Sequence, residues 1–356
     1  MHGFVYTAQP ARVLFGAGAL GRLEPEVERL GARRALVLCT PNQRALAGQA
    51  ARLLGERAVG VYDRAAMHVP VETVRDATAH AGRLQADCAV AIGGGSTTGL
   101  GKALALDGGL PIVAVPTTYA GSEMTSIYGL TENGIKTTGK DPRVLPRTVI
   151  YDPELSLALP VPLSAASGLN AIAHAAEGLY ARDGNPVMAL MAEEAIRALA
   201  GGLRRVVARP RDLDARGDCL YGAWLAGTVL GNVGMALHHK LCHVLGGSFN
   251  LPHAQTHAIV LPHALAYNAA AAPLAMAGLA RALGCAPADA PRALYDLAGE
   301  LAVPRALRDI GLHAQDLDRA ADLALAHPYW NPRPVEREAL RGLLQAAYEG
   351  APPAGL

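Results

Sequence analysis

Cys88-Ala-Val-Ala-Ile92-Gly93-Gly94-Gly95-Ser96-Thr97-Thr98-Gly99-Leu100-Gly101-Lys102 sets the architecture. A short apolar run ends at Ile92, three glycines follow, and a helical pattern runs from Thr97 to Leu106. A strand that turns through glycines into a helix lets backbone approach a phosphate, and the helix start offers free N–H groups and partial positive charge. Gly93, Gly94, Gly95 and Ser96 are therefore candidate cofactor contacts, with Ser96 either capping the helix or donating to a phosphate oxygen. A tight turn that merely needs glycines is the alternative, because G-G-G-S is not the G-x-G-x-x-G fingerprint.

Working outward, the front half alternates similar elements. Arg34-Ala-Leu-Val-Leu-Cys39, Ala58-Val-Gly-Val-Tyr62 and Ile112-Val-Ala-Val115 read as buried parallel strands, and Thr148-Val-Ile-Tyr151 as a last one. Helical patterns fill Arg44 to Leu54 and Val71 to Leu84. This alternation predicts a Rossmann-like parallel sheet flanked by helices. Near residue 160 the pattern becomes Ala/Leu-rich and helical, so residues 1–158 are expected to form an α/β dinucleotide domain and 159–356 an all-α domain.

The bulk numbers narrow the function. The 356 residues suit two domains, and 32 basic against 31 acidic side chains leave no footprint for nucleic acid or a membrane surface. Five scattered cysteines without a C-x-x-C pair argue against a disulfide framework or a thiolate zinc site and suit a reducing compartment. With no signal-peptide pattern and no long apolar run, a cytoplasmic protein without a membrane partner is expected.

A second polar turn follows the next strand: Pro116-Thr117-Thr118-Tyr119-Ala120-Gly121-Ser122-Glu123. Carboxyl ends of parallel strands are where open α/β sheets bind ligands, so Thr117, Thr118 and Ser122 join the cofactor candidates; a helix start capped by Ser122 is the alternative. The strand ending at Cys39 is followed by Thr40-Pro41, where an NAD-selective enzyme often has an Asp for the ribose 2′-hydroxyl. Thr40 is a further candidate contact, and both NADH and NADPH are expected to be accepted.

The back half carries the histidines. Six of the twelve lie between residues 238 and 263. His239 and His243 are four apart in a helical stretch, as are Asn170 and His174, and His253 follows the turn Asn250-Leu-Pro252. Imidazoles so spaced bind a transition metal or transfer protons near neutral pH. His238, His257 and His263 are weaker candidates that suit structural roles.

These segments resemble the iron-containing alcohol dehydrogenase family over nearly the whole chain. The resemblance is carried by Gly93-Gly-Gly-Ser96 with Lys102, Pro116-Thr-Thr118, Gly121-Ser-Glu123, His239-Lys-Leu-Cys-His243 with Leu245-Gly-Gly247, and Leu251-Pro-His253. It implies the dehydroquinate synthase-like fold, a homodimer, and an active site where the two domains meet; the apolar segment Ala11 to Phe15 is a candidate for pairing across subunits. Within the family, Gly93 to Lys102, Pro116 to Thr125 and Asp141-Pro-Arg-Val-Leu-Pro-Arg147 look most like the maleylacetate reductase branch. That branch reduces an enone carbon–carbon double bond in aromatic-compound breakdown, so a small dicarboxylate substrate is expected. Metal-binding members use one Asp and three His; the matching positions here are Asn170, His174, His239 and His253. With the Asp replaced by an amide, tightly bound metal is not expected. A second departure is Gly99, where the wider family has an Asp.

The resemblance implies hydride addition that leaves an enolate oxygen to stabilise and a carbon to protonate. His243 and His253 are expected to serve as electrophile and proton donor, with His174 and His239 shaping the pocket. Substrate carboxylate partners are sought in Tyr119, Asn170, Lys240, Ser122 and the basic stretch Lys136, Lys140, Arg143; Lys136 matches a family lysine near the nucleotide and is counted with the cofactor. The rivals are a metal-dependent alcohol dehydrogenase, a dehydroquinate synthase-type lyase, and a non-catalytic nucleotide binder.

Overall fold

A computed structural model describes Phe4, Tyr6–Thr7, Ala11–Glu132 and Ile135–Ala354, the side chains of Ile135 and Lys136 excepted. The chain divides into two compact units: one ends at Leu159, and the other begins at Pro160 and also takes Phe4, Tyr6 and Thr7.

In the first unit the elements run β1 (Arg12–Phe15), α1 (Leu23–Arg29), β2 (Ala35–Leu38), α2 (Arg44–Leu54), β3 (Ala58–Tyr62), α3 (Val71–Arg83), β4 (Cys88–Gly93), α4 (Gly95–Gly108), β5 (Ile112–Pro116), β6 (Ile127–Glu132), β7 (Ile135–Lys140) and β8 (Thr148–Tyr151). Six strands form one parallel sheet in the order β1-β8-β5-β4-β2-β3. β2, β4, β5 and β8 are buried along their whole length, which is why they read as unbroken apolar runs rather than as alternation. One sheet face packs Val37, Val90, Val113 and Ile150 against α1 and α2 residues such as Val27, Ala47 and Leu54. The other packs Leu36, Leu38 and Ala89 against α3 and α4 residues such as Ala77, Leu100 and Leu104. The direction of strand addition reverses between β2 and β4, and a doubly wound sheet opens its ligand crevice at such a point.

The expected strands and helices of this unit are present, and three features add to them. The segment Ala11 to Phe15 contains β1, which pairs with this chain's own β8 at the edge of the sheet. Lys136 and Lys140 of the basic stretch lie on the second strand of an antiparallel hairpin, β6–β7, and Arg143 follows it. The Asn133-Gly134 dipeptide is the sequence signal for such a hairpin. Finally, His68 and Val69 hold φ of 64° and 50°. That conformation is costly for a β-branched residue. The hairpin holds it in place: Thr131 donates its N–H to Val69 O at 3.1 Å and its hydroxyl to His68 O at 2.8 Å. Val69 Cγ2 stands 2.6 Å from where a β-carbon on Gly99 would be, so a side chain at position 99 meets Val69.

The second unit is helical: α5 (Val161–Gly178), α6 (Pro186–Ala208), α7 (Leu213–Asn232), α8 (Leu237–Phe249), α9 (His253–Asn268), α10 (Pro273–Leu283), α11 (Ala290–Glu300), α12 (Leu317–Leu325) and α13 (Arg337–Glu349). Its core joins α8 and α9 to α12 and α13 through Leu241, Leu245, Val260, Ala321 and Leu344. No single described helix is long and apolar enough to cross a membrane.

Candidate active site

The glycine turn lies at the reversal point of the sheet. Gly93 has φ of 153°, and a β-carbon there would fall 2.5 Å from both Gln43 Oε1 and Thr97 Oγ1, so only glycine suits the position. Gly94 caps α4, and its missing side chain leaves room for Thr118, whose Cγ2 lies 3.0 Å from the β-carbon position. Ser96 therefore does not cap the helix; it sits half-buried inside the first turn.

Gln43, passed over in the sequence, ties this edge together. Its amide donates to Thr117 Oγ1 at 2.7 Å, and its Oε1 accepts from Thr40 Oγ1 at 3.2 Å. Thr117 in turn donates its N–H to Gly93 O at 2.9 Å. Thr40, Gly93 and Thr117 thus come together, and Gln43's place just past the end of a parallel strand was its only sequence signal. Ser122 Oγ and Thr97 Oγ1 are buried without hydrogen-bond partners. Lys102 spends its ammonium on Thr125 O, Thr125 Oγ1 and Ile127 O at 2.7–2.8 Å, fixing the chain after Ser122. Burial pulls the Lys102 amine down to about 7, opposed by the Glu123 carboxylate. Tyr119 is fully buried. Lys136 lies on β7 opposite Thr131, and its side chain falls outside the described residues.

The histidines gather within the helical unit. α8 starts at Leu237 without a side-chain cap from its own sequence. Glu177, three residues beyond His174 on α5, supplies one: its carboxylate accepts the backbone N–H groups of Ala236, His238 and His239 at 3.0, 2.9 and 3.3 Å. The same carboxylate accepts from His239 Nδ1 at 2.7 Å and from Tyr180 Oη at 3.1 Å. Burial alone would raise the Glu177 pKa, yet the His239 hydrogen bond, the electrostatic pull of the His239 and His238 rings and the Ala236 N–H hold it at about 2.

From Glu177 a line of contacts runs back along α5. His239 Nε2 lies 2.8 Å from His174 Nδ1, and His174 Nε2 lies 3.2 Å from Asn170 Nδ2. Counting protons along it assigns the tautomers. The amide donates to His174 Nε2, His174 Nδ1–H donates to His239 Nε2, and His239 Nδ1–H donates to the carboxylate. Both imidazoles are then neutral, and Asn170 Oδ1 is left buried without a partner.

Above this buried line sit two exposed rings. His243 on α8 has its centroid 6.3 Å from His239, and His253, the first residue of α9, lies 4.3 Å from His257. Lys240 turns to Tyr329, its Nζ 5.6 Å from the ring centroid. His238 and His257 are fully buried and contact each other at 3.0 Å. Thus Asn170, His174 and His239 come together as expected. Glu177 was missed, although its i+3 spacing from His174 signalled a shared helix face.

The model for the Fe-containing alcohol dehydrogenase C-terminal region matches residues 164–348, and that for iron-containing alcohol dehydrogenases matches 10–153. The chain belongs to the iron-containing alcohol dehydrogenase family. A maleylacetate reductase of Burkholderia cepacia is 61% identical over 353 residues, 99% of this chain and 100% of that one. A Ralstonia eutropha crystal structure of a suspected alcohol dehydrogenase is 68% identical with a TM-score of 0.98, covering 99% of this chain and 100% of that one. The crystal structure of an Agrobacterium tumefaciens maleylacetate reductase is 54% identical with a TM-score of 0.96, at the same coverage.

The positions that match the family's ion ligands are Asn170, His174, His239 and His253, an amide in place of a carboxylate. His174 Nδ1 and His239 Nε2 are spent on each other, and His174 Nε2 faces an amide. None of Asn170, His174, His239 and His253 is anionic, so an ion there would meet four neutral ligands, with the Glu177 carboxylate one hydrogen bond behind His239.

Proposed function

We propose that this chain is a maleylacetate reductase, reducing the enone double bond of maleylacetate to give 3-oxoadipate with NADH or NADPH and one proton. The observation that carries this reading is the full-length identity of 61% to a maleylacetate reductase. The amide at Asn170 supports it against a metal-dependent alcohol dehydrogenase, because it removes the anionic ligand.

When bound, the reduced nicotinamide supplies the hydride. The turn Gly93–Ser96 and the α4 N-terminus hold its pyrophosphate, with Thr40, Thr117, Thr118 and Ser122 around the nucleotide. Hydride joins the alkene carbon β to the ketone, the electron pair moves to the ketone oxygen, and a proton then reaches the adjacent carbon. His243 and His253, the two exposed rings of the cluster, hold the enolate oxygen and deliver that proton. The hydrogen-bonded line from Asn170 through His174 and His239 to the Glu177 carboxylate keeps the rings beneath them fixed, and Lys240 pairs with a substrate carboxylate. The protein works in the cytoplasm as a homodimer.

The deciding assay follows consumption of reduced nicotinamide with maleylacetate and with simple aldehydes, with metal content measured on the same sample. Turnover of aldehydes but not of maleylacetate overturns the reading; transient reduction with no net consumption points instead to the lyase.

A further inference from the structure

We propose that His238, Cys242 and His257 form a binding site for a thiophilic divalent cation of the zinc class, clamping α8 to α9. The proposal stands apart from the assigned reaction and uses none of the four positions that match the family's ion.

His238 and Cys242 are four apart on α8 and share one face, and His257 meets them from α9. All three are at most 1% exposed. One ligand atom from each lies within 4.8 Å of the others, and among the described residues this is the one group of three or more His, Cys, Asp or Glu side chains that does so. His238 Nε2 is 3.0 Å from His257 Nδ1, and Cys242 Sγ is 3.7 Å from His238 Nε2. Tetrahedral zinc, with bonds of about 2.0–2.3 Å, sets ligand separations of about 3.3–3.8 Å, so small side-chain shifts complete the triangle.

The three side chains direct their hydrogen-bonding contacts only to one another. Burial keeps both imidazoles neutral, the form that offers a lone pair. Charge closes as well. A 2+ ion is balanced by the Cys242 thiolate, formed as the ion displaces its proton, and by Glu177, whose Oε1 lies 2.9 Å from the His238 backbone nitrogen. The His239 ring packs beside the group, centred 5.1 Å from His238 and 5.0 Å from His257. A search for paired cysteines passes over this site because it needs a single thiol.

The test uses the full chain and cobalt(II) alone as the probe. Stoichiometric cobalt should give wild-type protein a near-ultraviolet thiolate-to-cobalt band, with about one equivalent bound per chain. Cys242→Ser should abolish the band, and His257→Asn should weaken cobalt binding at least about tenfold. Cys219→Ser, at another buried thiol, and His253→Ala should keep the band. Wild-type protein that binds no cobalt, or binds it without the thiolate band, overturns the proposal, and so does a Cys242→Ser protein that keeps the band. Because the wild-type spectrum is decisive alone, a variant that fails to fold leaves the proposal falsifiable.

Discussion

His174 Nδ1 and His239 Nε2 face each other at 2.8 Å, so the two imidazoles best placed to share an ion are hydrogen-bonded partners instead. Asn170 sets this arrangement, because its amide donates to the far nitrogen of His174. A carboxylate there can only accept, which would reverse the proton order. Asn170→Asp is expected to lower maleylacetate turnover and to raise divalent-metal affinity by about tenfold, worth about 1.4 kcal/mol. Metal titration and steady-state rates on the same preparation check both halves.

The exposed rings carry the chemistry in this scheme. His253→Ala and His243→Ala should each lower kcat by about 10²–10⁴-fold. Circular dichroism should show both variants folded, since neither ring belongs to the buried line. A His253→Ala enzyme that keeps most of the wild-type turnover removes the assignment.

Acid should weaken the fold in two stages. His238 titrates at its ordinary 6.5 when unfolded but is pushed to about 3 when folded, by burial above all and then by the neighbouring His239. Its contribution is whole above pH 6.5 and is lost as pH falls. Glu177 goes from 4.5 unfolded to about 2 folded, so its contribution of about 3 kcal/mol is whole above pH 4.5 and is lost toward pH 2. Denaturant unfolding should show stability declining below about pH 6.5 and more steeply below about 4.5. A flat profile across that window contradicts the buried cluster. Glu177→Gln should remove the lower stage.

Cofactor choice follows from Thr40. With no carboxylate after β2 to hold a ribose hydroxyl or repel a 2′-phosphate, kcat/KM for NADH and NADPH should agree within about a hundredfold. Paired kinetics with the two cofactors measure it, and a larger gap refutes it.

Gly93 is confined twice, by its φ of 153° and by Gln43 and Thr97. Gly93→Ala should cost at least about 1–3 kcal/mol of stability and raise the KM for reduced nicotinamide. Chemical denaturation and cofactor titration report the two effects separately.

Much of this was legible in the chain itself. Buried strands such as Cys88–Gly93 announce themselves because both faces are covered, and i,i+4 spacing brought out Asn170 with His174 and His239 with His243. Glu177 and Gln43 escaped because each acts by accepting or donating across elements far apart in sequence, 62 residues in one case and 74 in the other. Nothing local marks an acidic or amide side chain for such a task. Tyr119 stood out by its company of threonines and glycines, and the fold buries it completely.

Val69 presses into the space that a side chain at position 99 would need. Anyone rebuilding the Asp of the wider family at Gly99 therefore faces a two-position problem. The carboxylate has to be transplanted together with a smaller or re-routed neighbour at Val69, and a single exchange there tests steric conflict, not electrostatics.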